Sequence, residues 1–337
     1  MIYHIEKSII NIPLFVLIMT LPFACFRQPE QERYQALQAI DATEQRLAET
    51  CRFIADYPRS DSLFPAIRQV LKLLNESGQE DRLLEFIINQ HLAQSNPEIR
   101  TCLDRQLMER LLPDSVQRQR YAADLAHYRL EYDDPLALAL ATLPRLQIRS
   151  PDDSLRRRII RQLSDHILKS DYTDFGNFKT ISEQLLEMDD SLLVPLSNQF
   201  LIAAIDRCTP VTIKKYHPDI TQPDSLLNQF YYSCFTALAW NAYRQRRFEY
   251  ALNLISQASK YGDLAAQDGY IILGAAQAEC DELKQGWAHL LTGLVLNPGA
   301  EKESPAIKNI YTTLFRRIRS PREDPTRFLN QYRRSHR

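Results

Sequence analysis

Proton transfer and metal binding need histidines and carboxylates at short, defined spacings, so these residues come first. His91, His127, His166, His217 and His289 stand apart, and none belongs to a His-x-x-x-His or Glu-x-x-His pattern that would gather a metal on one helix face. No metal and no other cofactor is expected. Asp81 with Glu85, and Glu183 with Glu187, lie four residues apart, the spacing of two acids on one helical face. Solvated helices produce such pairs routinely, so they point to exposed faces more than to an acid–base couple. Gly262, Gly269 and Gly274 fit no phosphate-binding loop and lack its lysine, and no Gly-x-Ser-x-Gly nucleophile turn occurs. These motifs do not lead to an enzyme.

The cysteines Cys25, Cys51, Cys102, Cys208, Cys234 and Cys280 are tens of residues apart, far from the close spacing of a zinc or redox motif. Most sit among apolar residues at helical spacing, which predicts buried free thiols. Export would permit one long-range disulfide, whose partners the spacing does not fix.

Charge narrows the partners. With 41 basic and 42 acidic side chains the net charge is -1, so no global field draws nucleic acid, and none is expected as a partner. Local clusters remain: Arg156, Arg157, Arg158 and Arg161 open a helix, and Arg316, Arg317, Arg319, Arg333 and Arg334 load a basic tail at 316–337. The tail reads as a solvated terminal helix with a frayed end, and alternatively as a contact for anionic lipid or an acidic protein groove. Aromatic residues crowd 230–250, where Tyr232, Trp240 and Tyr243 are candidate anchors for a peptide.

The elements that must position these residues are helical. Only 8 glycines occur in 337 residues, six of them at or after Gly262, too few for the tight turns of a sheet-rich domain. Tyr34, Leu37, Ile40, Leu47, Cys51 and Ile54 draw one apolar stripe, predicting one long helix over Gln31 to Tyr57. Further helices follow from Leu63 to Leu74 and Leu83 to Leu92, broken at Ser77 and Gly78. The rhythm continues over 97–112, 116–132, 135–146, 155–168, 178–188 and 192–205, with Pro144 expected to kink or end its helix early, and with either Ser191 as a cap or Pro195 as the true start of the last. Pro210, Pro218 and Pro223 make 208–223 a proline-rich irregular connection and the expected break in the array.

At the amino terminus, Ile12 to Phe23 form an apolar run, long enough for an export signal and short of the roughly 20 residues of a spanning helix. Leu21 to Cys25 resembles the cleavage and lipidation box of bacterial lipoproteins: Ala24 and Cys25 match its pattern, whereas Pro22 and Phe23 depart from it. Residues 1–24 are thus a signal peptide or membrane anchor. Lipidation of Cys25, simple cleavage and an uncleaved anchor stay open.

Residues 224–298 carry the most specific pattern. Phe235, Leu238, Ala239 and Ala242 precede Phe248, Ala251, Ile255 and Ala258; then Tyr270, Leu273 and Gly274 precede Gly286, Leu290 and Gly293, and Pro298 closes the stretch. This resembles the tetratricopeptide family, whose helix-turn-helix unit places small residues where two helices approach closely. The two units are offset by 35 residues rather than the family's 34, and Ala242 and Gln277 stand where its helix-A tyrosine is expected. The resemblance implies an all-α, α-solenoid fold of stacked helical hairpins, with a degenerate array at 29–207 and tetratricopeptide-like repeats with a terminal helix at 224–315. It also implies an exported scaffold, lipid-anchored or periplasmic in a bacterial cell envelope, that binds a protein or peptide and touches the membrane only through its N-terminal lipid or anchor. A helical accessory region of a cell-wall-active enzyme and a purely structural subunit are the alternatives.

Overall fold

The computed structural model describes residues 30–112, 114–146, 153–172, 174–188, 190–266 and 268–336. Among them every regular element is helical, and no strand occurs. The expectations for 1–24 and Cys25 lie outside the described residues. The chain divides into two compact units, one ending at Ala122 and the other starting at Ala123.

In the first unit, α1 (Glu30–Gln38), α2 (Thr43–Asp56), α3 (Leu63–Glu76), α4 (Glu80–Ala93) and α5 (Pro97–Leu111) each pack on the next. The single long helix expected from Gln31 to Tyr57 is instead two, with the chain reversing at 39–42. In one continuous helix Tyr34 and Phe53 would stand roughly 28 Å apart. The reversal brings their ring centroids to 5.5 Å and lets Arg33 reach Asp56 at 3.1 Å. A straight helix would have left the Leu37 end of the stripe without a neighbour; folded back, Leu37, Leu47 and Phe53 are all buried. At the α3–α4 turn Gly78 adopts φ +66°, and Gln79 N–H donates to the Leu74 carbonyl, a left-handed helix stop.

Helix α6 (Ser115–Glu131) contains the 122/123 division. The second unit continues with α7 (Asp134–Thr142), a 3-10 turn at Leu143–Arg145 around Pro144, α8 (Ser154–Leu168), α9 (Phe175–Glu187) and α10 (Val194–Arg207). Two of the three prolines of 208–223 start helices: Pro210 opens α11 (Pro210–Tyr216), Pro223 opens α12 (Pro223–Arg244), and Pro218 lies in the turn between them. At a first helical position the missing N–H costs nothing. Thr209 and Thr212 form a reciprocal cap on α11, which packs on α12, as α10 does.

The stack then proceeds through α13 (Phe248–Ala258), α14 (Gly269–Glu279) and α15 (Leu283–Leu296), with α12 on α13, α13 on α14 and α14 on α15. The short α16 (Ala300–Glu303) packs on α17 (Pro305–Ile318), and α18 (Pro325–Ser335) closes the chain. The two hairpins α12–α13 and α14–α15 share their internal geometry. Arg246 and Asp281, 35 residues apart, both turn the chain at positive φ, 58° and 65°. Ala239, Ala251 and Ala258 are fully buried in the first hairpin, and Gly274, Gly286 and Gly293 take the same places in the second. A Cβ built on Gly274 would lie 2.4 Å from the Gly286 carbonyl oxygen, and one on Gly286 would lie 2.5 Å from the Gly274 oxygen. Backbone touches backbone here, and only hydrogen fits between.

Candidate functional site

The aromatic residues at the start of this stack are used mainly inside it. Tyr232 is buried; its hydroxyl donates to the Ala266 carbonyl at 2.5 Å, and its ring covers Gly262, where a Cβ would come within 2.8 Å. It is core and not an exposed anchor, because an aromatic ring with one satisfied hydroxyl fills the space that two glycines leave. Trp240 and Tyr243 are half-buried, 6.0 Å apart edge to face. Burial first pushes Asp268 up, opposed by hydrogen bonds from Asn297 and Trp240. Burial likewise pushes the Tyr243 phenol up to about 12, so it remains a hydrogen-bond donor.

The basic tail is also folded structure. Arg333 is buried on α18: it pairs with Glu301 at 2.7 Å and donates twice, at 3.1 and 2.8 Å, to the Leu294 carbonyl. Leu294 lies in the last turn of α15, where carbonyls have no intrahelical partner, so the guanidinium caps that helix. Arg317 reaches Glu279 at 3.0 Å, and Arg319 reaches Glu323 at 3.1 Å while lying over Phe328. Among the described residues Arg316, Arg322, Arg327 and Arg334 keep the solvated character expected of the whole segment. The segment packs on the stack: Leu329 is buried, and Phe328 and Tyr332 join the core around Tyr311 and Phe315. The Arg156–Arg161 tract is committed similarly, with Arg156 on Asp153 and Arg157 on Asp190.

None of the expected isolated groups converges on a reaction centre. His91, buried, meets buried Asp104 at 2.6 Å, a pairing across α4 and α5 that the sequence spacing did not reveal. His289 meets Gln277 at 2.5 Å, which in turn donates to Glu282. Asp81 and Glu187 are exposed, and Glu183 pairs with Lys179. Cys51, Cys102, Cys208, Cys234 and Cys280 are free, and burial pushes the Cys208 and Cys234 thiols up to about 12. Among the described residues no group of three histidine, cysteine or acidic side chains is placed to hold a metal, and no helix is long and apolar enough to cross a membrane.

The second unit does contain a cleft, of about 640 Å³, that sequence reasoning missed. It collects helix ends: Glu131, Tyr132 and Asp133 between α6 and α7, Asp171, Tyr172 and Asp174 before α9, and Lys215 with Tyr216 at the end of α11. Helix starts and helix stops both meet here, so their backbone dipoles oppose one another and side chains set the sign. Four carboxylates stand against one ammonium. That ammonium already shows what the walls accept: Lys215 Nζ lies 4.8 Å from the Tyr216 ring centroid and 3.1 Å from its hydroxyl. Burial raises the Tyr132 phenol, with the nearby Asp174 and Glu131 charges adding to the rise against a hydrogen bond from Asn177; burial and then Asp133 raise Tyr172. Both phenols are therefore neutral donors beside anionic acceptors. The one signal in the sequence was a tyrosine adjoining an aspartate at a helix break, Tyr132–Asp133 and Asp171–Tyr172.

Helix pairs stacked through short connections make this an all-α protein with the architecture of a generic helical-repeat fold. No family model matches the chain, and no curated protein matches it.

Proposed function

We propose that the protein is a non-enzymatic binding scaffold of tetratricopeptide type that holds a partner protein or peptide through a lysine or arginine side chain inserted in the tyrosine–carboxylate cleft. The single observation that carries this reading is the cleft lining, three tyrosines and four carboxylates around one resident ammonium. A cation entering such a site gains both ion pairing and contact with aromatic faces, together stronger than either alone in a partly desolvated space. The tetratricopeptide assignment is supported by the shared hairpin geometry of α12–α13 and α14–α15, with its 35-residue offset between Arg246 and Asp281. The apolar run before Cys25 supports an exported, envelope-held protein, with lipidation at Cys25 the favoured form.

A labelled peptide carrying three lysines, and the same peptide with those lysines acetylated, test the cleft directly. Acetylation removes the charge and keeps most of the shape. Affinity should fall by about tenfold or more on acetylation and in an Asp133→Asn/Asp171→Asn variant, and it should weaken with salt. Equal affinity of the two peptides would end the cleft reading. Mass analysis of the processed amino terminus tests export: an acylated Cys25 is expected, and a cytosolic protein with Met1 intact would overturn it.

A second reading, a purely structural subunit, is favoured by one observation, the burial of Tyr232 in the core. It predicts that neither peptide binds.

A further inference from the structure

The unit ending at Ala122 carries a groove of the opposite sign, independent of the reading above. Between α3 and α5 lies a groove of about 630 Å³ with apolar lining from Phe64 and Leu71, and with Arg68, Lys72 and Arg105 facing a single lining carboxylate, Glu98. What sets it apart is that two guanidiniums share one lining, whereas six of the unit's other nine described arginines are already engaged, and Arg59, Arg118 and Arg120 lie outside the groove. Arg33, Arg52, Arg82 and Arg110 each pair with a carboxylate, and Arg46 and Arg100 each donate to a backbone carbonyl. Arg68 and Arg105 reach no carboxylate or carbonyl among the described residues, although both line the one groove. Arg68 lies over Phe64, 5.9 Å from the ring centroid, which directs its stem along the apolar lining. Lys72 is held only by a 3.8 Å contact with Glu76, exposed on both sides, and so contributes its charge to the groove.

We propose that this groove binds an extended acidic peptide segment of a partner protein, with Arg68 and Arg105 receiving two of its carboxylates. A guanidinium presents a planar fork that matches a carboxylate, and forks on two helices suit acids spaced along a chain. A lone phosphate is far smaller than the groove and has no use for Phe64 and Leu71. A membrane surface needs a convex or flat basic face, and this one is concave. The residue next to the acid that meets Arg68 is apolar in the best ligand, since Phe64 and Leu71 line the groove on the same helix as Arg68.

Cys102 lines the same groove as a half-buried free thiol and is a built-in reporter. A fluorescein-labelled decapeptide alternating glutamate and leucine, titrated into the full chain, should bind and should protect Cys102 from alkylation while leaving Cys51 and Cys280 unchanged. Binding should weaken at least about tenfold in Arg68→Gln/Arg105→Gln, and by an intermediate amount in Arg68→Lys/Arg105→Lys, which keeps the charge and removes the fork. Both positions are exposed, so an unchanged urea midpoint is expected and separates lost binding from lost folding. The proposal is overturned if the peptide fails to bind, if the glutamine variant binds as well as wild type, or if inorganic phosphate or phosphatidylglycerol vesicles protect Cys102 and the peptide does not.

Discussion

In the α14–α15 hairpin two helix backbones touch, and the glycines that allow it are 274, 286 and 293. Around the 640 Å³ cleft, helix ends from three separate stretches of chain surround open space. One region is built from close approach, where adding a methyl group must move a helix. The other is lined by side chains at helix ends, Asp133 and Asp171 among them exposed. On the proposed reading stability resides in the seam and recognition in the cleft, and substitutions in the two should separate these properties.

The largest effect is expected at the seam. Gly274→Val would place its Cβ 2.4 Å from both the Gly286 oxygen and the Leu290 nitrogen, atoms that belong to backbone and cannot rotate away. A loss of at least about 3 kcal/mol in urea unfolding is expected, the upper end of the cost of overpacking. Gly299→Ala is the control: its Cβ would meet only the flexible Glu303 carboxylate, and a change within about 0.5 kcal/mol is expected. Equal effects at the two glycines would break the comparison.

This contrast also explains what the sequence could disclose. The seam was legible because close approach demands small residues at helical spacing, and Ala239, Ala251 and Ala258 with Gly274, Gly286 and Gly293 repeat that demand along the chain. The α1–α2 break was not legible, since no glycine or proline marks 39–42 and the reversal depends on Tyr34 meeting Phe53. Pro210 and Pro223 misled in the opposite direction, because a proline at a first helical turn and one that ends a helix look alike without the fold. The cleft was hidden for a different reason. Its tyrosines, Tyr132, Tyr172 and Tyr216, are about forty residues apart in sequence and meet only through the packing of helices between them.

The next effect in size lies at the end of the stack. Arg333→Met strips the last turn of α15 of its cap and leaves Glu301 without its guanidinium, for an expected loss of about 2–3 kcal/mol at neutral pH. The pH dependence has a definite sign. Burial would raise the Glu301 carboxyl, but the hydrogen bonds and charge of Arg333 outweigh it and hold it below its ordinary value. A carboxyl lowered in the folded state stabilises above its unfolded pKa of about 4.3, and that contribution disappears as pH falls through the folded value. The unfolding midpoints of wild type and Arg333→Met should therefore approach each other below about pH 4. A constant difference from pH 7 to pH 3 would show that the ion pair is not what holds α18.

A smaller gain is expected at the hairpin turns. Arg246 and Asp281 occupy the left-handed region, where a side chain's Cβ crowds the backbone. Aspartate tolerates this conformation better than arginine does. Arg246→Gly should raise stability by about 0.5–1 kcal/mol and Asp281→Gly by less, as read from thermal unfolding. Equal gains would argue against a side-chain origin for the strain.

The smallest stability effect belongs to the cleft. Asp133 and Asp171 are exposed there, and Asp133, the position before α7, makes no side-chain cap bond that asparagine would lose. The Asp133→Asn/Asp171→Asn variant should stay within about 0.5 kcal/mol of wild type, with the change toward greater stability, because four carboxylates around one ammonium repel one another. The same pair of substitutions should cost the lysine peptide most of its affinity. That combination is specific: residues that hold a fold lose stability when neutralised, whereas like charges kept together against their mutual repulsion are relieved by it, and a bound cation relieves them in the same way. A fall of 2 kcal/mol or more in this variant, beyond the range of an exposed substitution, would instead make the cleft part of the scaffold.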